Sequence, residues 1–252
     1  MDTRFDVVDL GRMAYAEALG VQIEQHARIL RERAGAVAEA SCLREHEPHD
    51  LPVRQDASGT RLGVLILVEH EPVITVSRRK DAASHVVASA GALEAAGVRV
   101  EATDRGGDVT YHGPGQLVCY PIVDLNRLGL RLHGYMRALE GAIIETCAAF
   151  GVETGRDAER TGVWIDGADA ARARKIAALG VRVKRWVTMH GLALNVTTDL
   201  SHFDLIVPCG IADRGVTSLE RELGPACPPM APVKRELVSS LERALAPQKL
   251  TA

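Results

Sequence analysis

Ala16, Leu19, Gly20, Ile23, Ala27, Leu30 and Ala34 recur at spacings of three and four, which predicts an amphipathic helix over 13–34. From Ala40 to Arg61 the chain turns polar and carries Pro48, Pro52 and Ser58-Gly59, the signature of a loop insert, taken as 36–61. Leu62 to Glu69 and Val73 to Ser77 are apolar runs parted by Glu71-Pro72, and they predict two strands. A short helix over 88–96 is closed by Gly97, and alternation over 98–103 predicts another strand. Leu117 to Leu125 reads as a strand, and Tyr135, Leu139, Ala142, Ile143, Thr146 and Phe150 mark a second helix ended by Gly151. Further strands follow at 162–166, 175–186 and 192–196, then an apolar run, Leu205 to Val207, read as a strand that stops at Pro208. Thr217 and Glu220 form a capping-box pair that starts a helix, and Pro232 suits the first position of a last helix over 233–246, before a frayed tail. No repeat and no linker divides the chain, so 1–252 reads as a single domain. The irregular order of strands and helices predicts an α+β class rather than a doubly wound sheet.

Composition narrows the functional classes. The chain has 252 residues, 46% of them hydrophobic but only 4% aromatic, so Ala, Val, Leu and Ile must build the core. The net charge of −3 speaks against a general nucleic-acid binder. The longest strongly apolar run, Leu62 to Val68, is far too short for a bilayer span, which predicts no membrane partner. The N-terminal stretch mixes Asp and Arg and lacks a signal-peptide core. Five cysteines without CxxC spacing fit a reducing cytosol, hence a cytoplasmic location.

Chemistry concentrates in a few places. Arg105 to Gln116 is rich in glycine, which lets backbone approach a ligand and expose its N–H groups. It is neither a P-loop nor GxGxxG, and a plain hairpin turn competes evenly with a binding loop. Cys209 stands between Pro208 and Gly210 at a strand end, where a nucleophile would be exposed. A buried structural thiol is the commoner fate of a cysteine. Cys42, His46 and His49 lack an obvious fourth ligand for zinc, so no metal site is assigned. The stretch 171–186 holds Arg172, Arg174, Lys175, Arg182, Lys184 and Arg185 without an acidic residue, either a solvated face or a docking surface for an acidic partner. Lys175 differs from its neighbours because Ile176 to Leu179 follow it directly, which would carry its charge into a pocket.

Four motifs in order resemble the lipoate biosynthesis octanoyltransferases. They are Arg105-Gly106-Gly107 with Thr110 to Gln116, Lys175 to Gly180, His190 to Asn195, and Ile206 to Ile211 followed by Val216 to Leu219. Ser77 stands where that family commonly has glycine, and 36–61 is longer than usual. The resemblance implies a mixed β-sheet flanked by helices, like the biotin and lipoate protein ligase catalytic domain. It implies transfer of an octanoyl group from octanoyl-acyl carrier protein to a lysine of lipoyl domains of 2-oxoacid dehydrogenase subunits and of the glycine cleavage H protein, with no cofactor. It makes Cys209 the acyl-thioester nucleophile and Lys175 the residue that lowers its pKa and serves as general base. It lines the acyl site with Arg105, Gly106, Gly107, Asp108, Val109, Thr110, Tyr111, His112, Ala178, Leu179, Gly180, Gly191, Leu192 and Ala193. The rival with the same fold is an ATP-dependent lipoate–protein ligase. A cysteine hydrolase, with His112 or His190 as partner of the thiol, is a further alternative.

Overall fold

The computed structural model describes residues 4–42, 61–157, 160–166, 172–207 and 215–246, the side chains of 36–42 excepted. Cys209, His46, His49 and the tail from Pro247 therefore lie outside the described residues, as does most of the insert. The elements run β1 (Asp6–Met13), α1 (Tyr15–Cys42), β2 (Gly63–His70), β3 (Val73–Val76), α2 (Ala90–Ala95), β4 (Arg99–Ala102), β5 (Val109–His112) and β6 (Gln116–Val123). Then come α3 (Leu125–Leu128), α4 (Leu132–Ala149), β7 (Gly155–Arg156), β8 (Val163–Ile165), β9 (Arg174–Lys184), β10 (Val187–Asn195), β11 (Gly215–Val216), α5 (Leu219–Leu223) and α6 (Met230–Ala244).

The main sheet has the order β1-β2-β6-β10-β9-β8-β7, with β11 joined to β9. It mixes parallel pairs, β1 with β2 and β11 with β9, among antiparallel ones. Its central strands β6 and β10 are buried along their whole length, because helices cover both faces. On one face Ile143 of α4 and Val233 and Leu237 of α6 close over Leu65, Leu117, Leu192 and Leu194. On the other, Ala18 and Ile29 of α1 close over Val64, Ile66, Val118 and Ala193. A second sheet, β4-β3-β5, buries Ile74, Val109 and Tyr111 against Phe203 and Ile206. The mixed sheet flanked by helices is thus present, with a smaller companion sheet that the hydrophobic pattern does not announce.

Several local details differ from the sequence reading. Helix α1 continues to Cys42, so the first residues assigned to the insert are helical. Alternate alanines, good helix formers, carry it past Gly35. Where the apolar run predicts a strand ahead of Cys209, Leu200–Leu205 forms a 3-10 helix capped by Asp199, and Ile206 makes one bridge to Val86. The Asp199 carboxylate accepts from Ser201 N–H and starts the 3-10 turn, which takes up only Leu205 of the apolar run, while Ile206 is extended. The cap of α5 is Ser218 rather than Thr217, whose hydroxyl instead donates to Glu222. Pro229 precedes α6, which leaves Pro232 in the first turn, where its missing N–H has no helical partner to lose.

Candidate active site

The glycine-rich stretch resolves into a loop that leads into β5. Gly107 takes φ +95°, a conformation side chains resist, and Ser77 Oγ donates to its carbonyl at 3.0 Å. Ser77 also donates its backbone N–H to Asp108 O at 3.2 Å, a bond that glycine would keep, so the hydroxyl is the tether that serine adds to this loop. Arg105 reaches across to Thr75, donating from Nη2 to both the carbonyl and the hydroxyl at 2.9 Å. Gly106 N–H donates to Val181 O at 2.9 Å, which lays the loop along β9. A side chain at Gly180 would press on Gly106 O at 2.7 Å, so glycine there permits the close approach.

Lys175 owes its direction to an irregularity. One step along β8, from Val163 to Trp164, spans two on β9, from Ala177 to Lys175, so β9 holds an extra residue. Ile176 and Ala177 both enter the core on the α4 side, and this bulge turns Lys175 and Ala178 together onto the cavity side. Lys175 Nζ lies over the Trp164 ring, 4.6 Å from its centroid, an arrangement that favours the ammonium.

Around these residues lies a cavity of about 630 Å³. Of the residues implied for the acyl site, Arg105, Gly106, Gly107, Asp108, Val109, Thr110, His112, Ala178, Leu179, Gly180, Gly191, Leu192 and Ala193 line it, and so does Lys175. Tyr111 does not. Strand alternation turns it away from Thr110 and His112, and it packs edge-on against Phe203 and beside His202. Cys209 lies outside the described residues, which stop at Val207 and resume at Gly215. Val207 N–H donates to His85 O at 2.8 Å, Phe203 and Val216 line the cavity, and Val216 pairs with Lys175.

The sequence reading misses the far wall. Tyr15 from the start of α1, Tyr120 and Val118 from β6, and Leu132 and Met136 from α4 all line the cavity. Gln116 and Asn195 stand inside quoted motifs without a role. Here they form a chain. His112 Nδ1 donates to Gln116 Oε1 at 2.7 Å, Gln116 Nε2 donates to Asn195 Oδ1 at 2.9 Å, and Asn195 Nδ2 donates to Thr217 O at 2.9 Å. Thr217 N–H closes it on Lys175 O at 2.9 Å.

Burial sets the charge of this wall. His112 is pushed down to about 3, first by burial and then by His70 nearby, and His70 falls to about 4 by burial. Both are neutral imidazoles at neutral pH. His190 is also lowered by burial, against the Asp104 carboxylate 2.9 Å from its Nε2. Burial raises the Cys119 and Cys147 thiols, which makes them poor nucleophiles; Cys147 reaches about 12. The arrangement can therefore hold an apolar chain beside the Lys175 ammonium, with the buried imidazole of His112 kept neutral.

Comparison with known proteins places this site in a family. The lipoyl protein ligase A/B catalytic domain matches residues 50–242. An octanoyltransferase of Bacteroides fragilis is 50% identical over 181 residues, covering 72% of this chain and 80% of that protein. One of Bacteroides thetaiotaomicron is 46% identical over 207 residues, covering 82% and 90%. Among solved structures, a bi-partite lipoate protein ligase of Thermoplasma acidophilum shares the fold at 14% identity, with a TM-score of 0.62 over 96% of this chain and 83% of that one. Lipoate-protein ligase A bound with ATP does so at 16% identity, with a TM-score of 0.57 over 72% of each chain. With half its aligned residues shared with a protein of that name, and with the motifs that carry the likeness gathered around one cavity, the chain belongs to the octanoyltransferases, built on the lipoyl protein ligase A/B catalytic domain.

Proposed function

We propose that the chain carries an octanoyl group from octanoyl-acyl carrier protein, through a thioester on Cys209, to a lysine of lipoyl domains in 2-oxoacid dehydrogenase subunits and the glycine cleavage H protein, in the cytoplasm. The observation that carries this reading is the cavity, with Lys175 at one end and small residues, Ala178, Gly180, Gly191 and Ala193, along its floor. In the first step the Cys209 thiolate attacks the thioester carbonyl, and the donor's thiolate leaves and takes the proton of the Lys175 ammonium, which is left neutral. A free thiol is mostly protonated at neutral pH, with a pKa of about 8.5, and the Lys175 ammonium favours its ionised form. In the second step the acceptor amine attacks the new thioester, Cys209 leaves as thiolate, and a neutral Lys175 takes the amine's proton. One thioester replaces another and then gives way to an amide, so no nucleotide is needed. Burying about six methylenes at ~0.8 kcal/mol each contributes about 5 kcal/mol to binding.

A ligase of the same fold remains the specific rival, because ligases are among the solved structures that share this fold. Fold alone does not choose between them. A ligase begins from a free acid and must form a mixed anhydride with AMP. The test is octanoyl transfer from octanoyl-acyl carrier protein in EDTA without nucleotide, which this reading expects to be complete. Modification from free octanoate that requires ATP and survives Cys209→Ala would establish the ligase instead.

A further inference from the structure

Strand register divides the floor of the cavity into layers. Ala178 lies opposite Ala193, which lies opposite Val118 on β6. Two residues on, Gly180 lies opposite Gly191. The next layer sets Arg182 opposite Met189, and there the small residues end. Each layer adds about 6.6 Å, two residues at ~3.3 Å, so the two small-residue layers give a trough of about 13 Å leading away from Lys175.

The side of this trough is apolar although phenols border it. Tyr15 OH is bonded to Thr103 Oγ1 at 2.7 Å. His70 Nδ1 donates to Met13 O, so its Nε2 is an acceptor and Tyr120 OH donates to it at 2.7 Å. Both hydroxyls are engaged, which leaves the rings as the contact surface.

At the end of the small-residue layers His190 lines the cavity, and behind it stand Asp104 and Arg182. Arg182 Nη1 lies 2.6 Å from Asp104 Oδ2, and Asp104 Oδ1 accepts from His190 Nε2 at 2.9 Å. His190 lines the cavity with φ +59°, an uncommon conformation for a side-chain-bearing residue, and its N–H is held by Gln22 Oε1 at 2.8 Å. Arg182 and Asp104 keep 30% and 23% of their side chains exposed, so the closure is an ion-paired clasp at the surface rather than packed core.

We propose that the Arg182–Asp104–His190 clasp is the end stop that sets which acyl length the enzyme accepts. The inference rests on the acyl-transfer reading above. An octanoyl chain has seven C–C bonds of ~1.5 Å and spans about 9 Å in zigzag, so it fits within the two small-residue layers. Two more methylenes lengthen it to about 11 Å, which leaves its methyl less than a ~4 Å van der Waals contact short of the Arg182 layer and brings it against His190, whose charged neighbours must lose water. Opening the clasp gives a longer chain a path to solvent.

The test measures initial transfer rates of the full chain with hexanoyl-, octanoyl- and decanoyl-acyl carrier protein. Wild type should prefer octanoyl over decanoyl by about tenfold. Arg182→Ala should raise the decanoyl-to-octanoyl ratio about fivefold. Asp104→Asn, which weakens the same clasp with little change of shape, should shift it the same way and decides the matter if Arg182→Ala does not fold. Ala178→Leu fills the first layer and should instead raise the hexanoyl-to-octanoyl ratio. Shifts in opposite directions cannot come from misfolding. An unchanged decanoyl-to-octanoyl ratio in a clasp variant that still transfers octanoyl would overturn the proposal. No transfer at any length by wild type would overturn the acyl-transfer reading and the end stop with it.

Discussion

Acid should unfold this protein through two imidazoles. His70 and His112 are buried and held neutral, at about 4 and about 3, against an ordinary value of 6.5. In the unfolded chain both protonate as pH falls through 6.5, while in the folded chain they resist. The unfolded state then binds more protons, so stability is fully present above pH 6.5 and drains away between 6.5 and the folded values. Each proton difference is worth about 1.4 kcal/mol per pH unit, so near pH 5 the two together cost about 2–3 kcal/mol per unit. His190 and His26, also lowered by burial, add in the same direction. A loss of that size is a large part of the ~5–15 kcal/mol that holds a typical domain. Urea unfolding from pH 7.5 to 4.5 measures it, as a falling midpoint at constant slope. His70→Phe removes one titrating group. It should lower stability at pH 7.5, because Tyr120 loses its acceptor, yet flatten the dependence on pH. A midpoint unchanged between pH 7 and 5, or a variant that keeps the full pH dependence, would refute the reasoning.

Two predictions concern the mechanism and docking. Lys175→Arg keeps a cation beside the thiol but cannot give up its proton, so single-turnover assays should show transfer to the acceptor falling well beyond acyl-enzyme formation; equal wild-type rates in both half-reactions would remove Lys175 from the chemistry. Lys184→Glu with Arg185→Glu should slow association with an acidic acceptor domain and weaken its salt dependence in stopped-flow titration, whereas unchanged kinetics would leave that stretch a solvated face. Arg182 is left out of the second test because its guanidinium is committed to Asp104.

What could be read from the sequence was local. Helix α4 announces itself by Tyr135, Leu139, Ala142 and Ile143, and Gly151 ends it with φ +81° as its place after the helix predicts. The loop from Arg105 and the strand from Lys175 are dense in glycine or cation within short windows, so motifs find them. Tyr15, Val118, Tyr120 and Met136 reach the same cavity from α1, β6 and α4, and only the tertiary fold gives them a common address. The turn of Lys175 into the cavity depends on one extra residue at Ile176, which no periodicity reveals. Alternation sets Tyr111 on the face opposite Thr110 and His112, but Val109 shares its face and still lines the cavity, so alternation alone does not exclude Tyr111. Of the strand read over Leu205 to Val207, Leu205 closes a 3-10 helix and Ile206 is extended and bridges Val86, so the apolar run gives a single bridge rather than a strand. Helices cover the sheet with equal indifference to the rival chemistries, and no helix among the described residues is long and apolar enough to cross a membrane.

The most direct test of the central claim is the mass of the enzyme itself. Incubated with octanoyl-acyl carrier protein and no acceptor, the protein should gain one octanoyl group, and peptide mapping should place it on the Cys209 thiol, released by hydroxylamine and absent from Cys209→Ala. Added mass on Cys119, Cys147 or Cys227, or no adduct in a preparation that transfers octanoyl at full rate, would contradict the covalent account.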